Sequence, residues 1–163
     1  MNQDIISYIK NVLYDKAFLD IKRASSGNSK MGAFILASCF IDYMAGFLCG
    51  RKATGQDYKH FVSNYLPPIY NPSKLYKDLR CALVHNYSEG GSYWFKDNNP
   101  GLHGKVIDGR TIVNLENFIH DLENAFNKLM GDIQSDPLKK QKAIDRYNSV
   151  GILCAGGIAP KKT

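Results

Sequence analysis

One long apolar segment constrains the fold of this chain more than any other feature. Residues 31–49 are nineteen residues long and contain a single charge, Asp42. A helix of this length can span a bilayer. Asp42 stands near the centre, however, where a charge costs about 2.5–3.5 kcal/mol on insertion scales, and Gly32, Ser38 and Gly46 dilute the hydrophobicity. We therefore predict a central buried helix of a protein without membrane contact.

Other helices are predicted on both sides of this segment. The first has apolar residues at helical spacing and ends at the polar run 25–29. A short helix at 58–65 stops before two prolines, and another begins near Asn71-Pro72 and runs toward Ser88. Asn114 is suited to cap a fifth helix, whose apolar stripe consists of Leu115, Phe118, Leu122, Phe126, Leu129 and Ile133. A sixth is predicted from Asp136-Pro137 to about residue 150.

The pattern between the fourth and fifth helices indicates β structure. Gly90-Gly91 breaks the helix, and residues 92–95 are typical of a strand. Residues 106–113 are typical of a hairpin, because Asp108-Gly109 supplies the positive φ angles of a tight turn. We predict a mostly α, up-and-down bundle of four long helices plus shorter ones, with a small β-hairpin insert at about 92–113.

Length and charge indicate one soluble domain. The chain has 163 residues, 44% of them hydrophobic, which fits a single domain at 1–150 followed by a flexible basic tail at 151–163. The formal charge is +6, but the residues from 134 onward hold six basic and two acidic side chains. A concentration of charge at one end favours a solvated face or tail over a nucleic-acid footprint.

Cysteine usage and the amino end indicate the cytoplasm. The four cysteines are irregularly spaced and form no CxxC pair, and the first residues show no basic stretch followed by an apolar run. We therefore expect no signal peptide. Phosphate-binding glycine loops, HExxH and GxSxG are absent from the sequence, and the four histidines are scattered, so no cofactor and no metal are predicted.

The residues of greatest chemical interest lie at 76–87, which read YKDLRCALVHNY. Arg80 precedes His85 by the spacing R-x4-H, on a predicted helix that follows a long apolar helix. In this respect the chain resembles the HEPN superfamily of helical domains, over residue 1 to about 134. Asp42 stands on the apolar helix where many members carry a polar partner. The chain departs from active members in having Cys81 directly after the arginine and in its β insert.

The resemblance implies a metal-independent endoribonuclease, often a toxin with a cognate antitoxin, whose motif lies in a cleft shared by two subunits. The chemistry is consistent with these residue types. RNA carries its own nucleophile, the 2′-hydroxyl, so cleavage requires a base and a cation to stabilise the phosphorane. His85 is the expected acid/base and Arg80 the phosphate clamp, and either Asp42 or Asn86 is expected to orient them.

Helix geometry adds the expectation of a homodimer. In a regular α-helix, residues five apart point about 140° away from each other, so one helix does not aim Arg80 and His85 at the same phosphate. A two-fold dimer that buries the fourth helix would bring them together, as would a helix end near His85. We also predict that Asp42 lies within ion-pair reach of Arg80, because a lone carboxylate on an apolar helix needs compensation.

Several of these residues have an ordinary structural alternative. Arg80 is equally suited to neutralise Asp42 or Asp78, and a histidine at a helix C-terminus is favoured by the dipole. Tyr76 and Tyr87 are candidates for stacking on RNA bases, with core or interface packing as the alternative. The second hypothesis is therefore a non-catalytic HEPN-like dimer that binds a protein or a nucleotide.

Overall fold

The computed structural model of this chain describes residues 2–150, with side chains from residue 5 onward. These residues form six helices and one small sheet, so the predicted mostly α-helical fold with a β insert is confirmed. Helix α1 covers 2–26 and α4 covers 72–86; the other helices are α2 (Lys30–Cys49), α3 (Gly55–Tyr65), α5 (Leu115–Ser135) and α6 (Pro137–Val150). The strands are β1 (Tyr93–Lys96), β2 (Val106–Ile107) and β3 (Arg110–Asn114). The predicted tail at 151–163 lies outside the described residues.

Helix α2 occupies the centre of the protein. Ten of its twenty residues are buried, and it packs against α1, α3, α4, α5 and α6. It ends at Gly50, whose φ of 81° requires the left-handed conformation that glycine adopts without strain. Its length and composition are sufficient to cross a membrane, but much of its surface is covered by protein. The prediction of a central buried helix is therefore confirmed.

Two of the helices are not α-helical throughout. Helix α1 contains a π-helical segment at Leu13–Phe18 between its α-helical parts Asn2–Val12 and Leu19–Ser26. Helix α4 has the same construction, with Pro72–Leu75 and Val84–Asn86 on either side of a π-helical segment at Tyr76–Leu83. In a π-helix the backbone hydrogen bond joins residues i and i+5, which changes the side chains that share a face. The second of these segments contains Arg80, and His85 follows it in the α-helical part Val84–Asn86.

Helix α5 follows its sequence signals closely. The side chain of Asn114 accepts hydrogen bonds from the backbone N–H groups of Glu116 and Asn117, as a cap should. The predicted apolar stripe is buried along its whole length against α1, α2 and α6. One residue, Asp136, separates α5 from α6, which starts at Pro137 and returns along α1 and α2.

The β insert has one strand pairing that the sequence did not indicate. The β2–β3 hairpin turns at Asp108-Gly109, with φ angles of 49° and 74°, as predicted. Strand β1, however, joins the sheet in parallel with β3, so the sheet order is β1-β3-β2. A parallel pair requires a crossover connection, and residues 97–109, which contain a 3-10 turn at Pro100–Leu102 and strand β2, provide it.

A partly buried histidine connects this insert to α5. The backbone N–H of Asn114 donates to Nδ1 of His103 (3.1 Å), so Nδ1 carries no proton and Nε2 carries it. Nε2 lies 3.2 Å from the Tyr70 hydroxyl and 3.5 Å from Asp121. Burial lowers the pKa of His103 below its usual 6.5, and Asp121 opposes this shift without cancelling it.

This histidine is expected to make stability depend on pH. Below about pH 6.5 the unfolded chain binds a proton that folded His103 resists, so the free energy of unfolding falls as the pH decreases, by at most about 1.4 kcal/mol per pH unit. Urea unfolding at pH 7.5 and 5.5 measures this loss. We expect His103→Gln to lose less unfolding free energy than the wild type between these two pH values. His120→Gln, at an exposed position on α5, should lose as much as the wild type. The same pH dependence in His103→Gln and in the wild type would exclude this role.

Candidate functional site

The π-helical segment of α4 places Arg80 and His85 on one face of the helix. The backbone N–H of Val84 donates to the carbonyl of Leu79, five residues earlier, and this wider turn stacks side chains that are five apart. Arg80 Nη1 lies 2.7 Å from His85 Nε2 within the same chain. The expectation that a regular helix points them apart does not apply here, because this part of α4 is π-helical and the helix ends at Asn86, next to His85. A second subunit is not needed to bring them together.

Asp42 completes a three-residue cluster. Arg80 donates from Nε to Oδ2 of Asp42, in a short hydrogen bond that connects α4 to the central helix α2. The ion pair predicted from the apolar setting of Asp42 is thus present. Both side chains are about 28% exposed, so the pair borders solvent instead of lying in the core.

The hydrogen bonds define the proton positions in the cluster. A guanidinium group only donates, so Nε2 of His85 is the acceptor of the Arg80 hydrogen bond and the imidazole is neutral, with its proton on Nδ1. Arg80 uses Nε on Asp42 and Nη1 on His85. Among the described residues Nη2 has no hydrogen-bond partner, which leaves it available to an incoming anion.

Burial and the ion pair shift the pKa values of Asp42 and Arg80. Burial raises the pKa of the Asp42 carboxyl, and the Arg80 guanidinium opposes this shift without cancelling it. Burial on its own would lower the pKa of Arg80, but the Asp42 carboxylate outweighs it and the pKa is raised. Arg80 therefore stays a cation at any pH at which the protein is folded, as a phosphate clamp must.

Tyr76 is the first residue of the π-helical segment and is partly buried. Its ring packs edge-on against Tyr58, with 5.4 Å between the ring centroids, and its hydroxyl lies against the backbone at Gly55. A Cβ at Gly55 would approach the Tyr76 hydroxyl to 2.7 Å, so this contact requires glycine. Burial and the nearby Cys81 thiol, again five residues away, raise the pKa of Tyr76. The ring thus has a packing role whether or not it also stacks on a base.

The other two predicted site residues lie at the end of α4, in solvent. Tyr87 is 69% exposed and adopts the left-handed conformation that ends the helix, with a φ of 52°. Its backbone N–H donates to the carbonyl of Leu83. The Asn86 side chain forms no hydrogen bond within the described part of the chain. Of the two residues proposed to orient Arg80, only Asp42 contacts it.

Sequence reasoning missed the role of Asp78. This carboxylate is fully buried, and Oδ2 accepts hydrogen bonds from the backbone N–H groups of Ser92 (2.6 Å) and Tyr93 (3.1 Å). It thus holds the start of β1 against α4 and does not pair with Arg80. The backbone at Gly90 lies so close that a Cβ there would come within 2.1 Å of Asp78 Oδ1. Gly90 is therefore required for the close approach of the insert, beyond breaking the helix.

A cavity opens beside the cluster. It has a volume of about 400 Å³, lies between α1 and α2, and has Asp42 and Arg80 in its wall. Its size is in the range of pockets that bind small molecules. Within the described residues no three His, Cys, Asp or Glu side chains lie close enough to hold a metal ion.

Comparison of this chain with protein-family models, with curated proteins and with solved structures finds no match. The chemistry of the site is therefore inferred from its residues and their geometry.

Proposed function

We propose that this chain is a metal-independent, HEPN-like endoribonuclease that cleaves RNA by attack of the 2′-hydroxyl on the adjacent phosphate. The observation that carries the proposal is the contact between Arg80 and His85. Asp42 positions Arg80 by accepting a hydrogen bond from its Nε. This cluster places a neutral imidazole, a permanent cation and an orienting carboxylate at the edge of a cavity. A base and a cation at one phosphate are what this reaction needs.

The hydrogen bonds suggest an order of events. In the free protein Nε2 of His85 accepts a hydrogen bond from Arg80, so its lone pair is engaged. A phosphate bound at Nη2 draws the guanidinium toward itself and releases Nε2. His85 then takes the proton of the 2′-hydroxyl as that oxygen attacks phosphorus, and Arg80 stabilises the charge of the phosphorane. The imidazolium returns the proton to the leaving 5′-oxygen, which yields a 2′,3′-cyclic phosphate and a 5′-hydroxyl end.

The likeness to HEPN ribonucleases extends the proposal beyond the site. It implies a cytoplasmic protein with RNA as its substrate, a toxin-like activity and an antitoxin or another protein as a partner. The structure of α2 as a core helix is consistent with a soluble protein.

The direct test is cleavage of RNA by the wild-type chain, with and without EDTA. We expect cleavage of single-stranded oligonucleotides that EDTA does not reduce, with 2′,3′-cyclic phosphate ends on the products. Substrates with a 2′-deoxyribose at the cut should resist, because the nucleophile is missing. Cleavage that EDTA abolishes, or products with 5′-phosphate ends, would contradict the proposed mechanism.

The proposed homodimer has a test of its own. Its remaining support is the exposure of apolar side chains, with Tyr87 at the end of α4 69% exposed and Leu36 on α2 38% exposed. We expect light scattering at tens of micromolar protein to give twice the mass of one chain. A monomer at that concentration would exclude the shared cleft. It would not exclude catalysis, because Arg80 and His85 contact each other within one chain.

A second candidate is a non-catalytic HEPN-like dimeric binding module. It is favoured by the fact that Arg80 already has two partners inside the chain, and by Cys81, which is a poor hydrogen-bond partner, after the arginine. In this case the cluster is a structural ion-pair network. A wild-type chain inert toward varied RNAs, with His85→Ala clearly less stable, is the result that this alternative requires.

A further inference from the structure

The cavity beside Arg80 has an apolar wall formed mainly by α2. Leu36, Phe40 and Tyr43 face it from α2, and Ala17 and Ala53 close it from α1 and from the loop before α3. Tyr43 is held in place by Phe47, at 5.4 Å between ring centroids, and by the Arg146 guanidinium 5.5 Å from its ring. An apolar wall with fixed aromatic rings suits a flat, weakly polar ring.

The same cavity carries a positive rim. Lys16 and Lys52 line it from exposed positions, and within the described residues neither forms an ion pair. Of the two carboxylates in the wall, Asp42 is paired with Arg80, and Asp20 is paired with Arg23 at 2.8 Å. The two lysines therefore make the entrance of the cavity attractive to anions.

We propose that this cavity is a nucleobase subsite, which takes the base of the nucleotide next to the scissile phosphate while the flanking phosphate lies at Lys16 and Lys52. The inference rests on the proposed ribonuclease function, since it is the phosphate at Arg80 that places the neighbouring base. Arg80 belongs both to the cluster and to the wall of the cavity, so a nucleotide held by its phosphate at Arg80 has its base within reach of the apolar wall. The cavity volume of about 400 Å³ suits one nucleotide and not a longer stretch of RNA.

The first experiment measures binding without cleavage. Calorimetry with adenosine and uridine 3′-monophosphates is carried out on the wild type, on Leu36→Trp, which fills the cavity, and on Lys52→Ala. The matched controls are Leu138→Trp, at a residue 75% exposed on α6, and Lys74→Ala, at an exposed residue of α4. We expect the cavity variants to bind about tenfold more weakly than the wild type and the controls to bind equally well, since stacking of one base is worth about this much. Inorganic phosphate should bind far more weakly than the nucleotides and be insensitive to Leu36→Trp.

The second experiment separates failure of the subsite from failure of the ribonuclease proposal. Oligonucleotides with one abasic site beside the cut are expected to be cleaved about tenfold more slowly by the wild type, with no further loss in Leu36→Trp. Cleavage insensitive both to the abasic site and to Leu36→Trp would overturn the subsite and leave the ribonuclease. Nucleotide binding that both cavity variants lose, in a chain that cleaves no RNA, would keep the cavity as a nucleobase site and overturn the ribonuclease. Absence of nucleotide binding by the wild type, or equal binding by both cavity variants, would overturn the subsite.

Discussion

Replacing His85 or Arg80 with alanine is expected to lower the rate of RNA cleavage by about 10²-fold or more. General acid/base catalysis contributes about 10²–10⁴-fold, and loss of a charge-stabilising donor costs about 10²–10³-fold. The two residues contact each other, so the double variant should lose much less than the product of the single losses. Initial rates on one oligonucleotide, for both single variants and for the double variant, measure these effects.

The control for His85→Ala is His120→Ala, which removes an exposed histidine from α5. This variant should cleave RNA at the wild-type rate. His85 is itself exposed, so His85→Ala should unfold at nearly the same urea concentration as the wild type, and added imidazole should restore part of its activity. If wild-type cleavage is real but His85→Ala keeps more than about a third of it, the histidine is not the base.

The second large effect is on stability. Asp78→Ala is expected to lower the free energy of unfolding by about 3 kcal/mol. The variant leaves the backbone N–H groups of Ser92 and Tyr93 without their acceptor, and hydrogen bonds to a charged group contribute about 1.5–3 kcal/mol each. Urea unfolding followed by circular dichroism gives the change from the shift of the midpoint.

Two further variants make the result specific. Asp78→Asn retains an oxygen acceptor and loses the charge, so it should lie between the wild type and Asp78→Ala. Asp15→Ala removes an exposed carboxylate from α1 and should change the free energy of unfolding by less than about 0.5 kcal/mol. Equal stability of Asp78→Ala and Asp15→Ala would show that the Asp78 carboxylate does not hold the start of β1.

The features predicted correctly are those coded by neighbouring residues. The apolar run of α2, the cap at Asn114 and the turn at Asp108-Gly109 each follow from a few consecutive residues with a known preference. The pairing of Asp42 with Arg80 followed from a general cost, since a carboxylate on an apolar helix requires a cation. These features required no knowledge of how distant segments meet.

The features that were missed depend on tertiary structure. The parallel pairing of β1 with β3 joins Tyr93 to Thr111, and no spacing in the sequence marks it. Asp78 binds backbone groups 14 and 15 residues away. Its neighbours in the sequence do not distinguish it from an exposed acidic residue of a helix. The π-helical segment at Tyr76–Leu83 left no signal in the apolar pattern, so the angle expected between Arg80 and His85 was that of a regular α-helix.

The π-helical turn makes the length of the segment between Arg80 and His85 more critical than its composition. Each residue of a regular α-helix turns the chain by about 100°, so insertion of one residue between the two would swing the imidazole to another side of α4 and away from the guanidinium. Substitutions at the partly exposed positions Cys81, Ala82 and Val84 leave this spacing unchanged. Tolerance to substitution together with intolerance to insertion is therefore the mutational signature that this stretch of α4 should show.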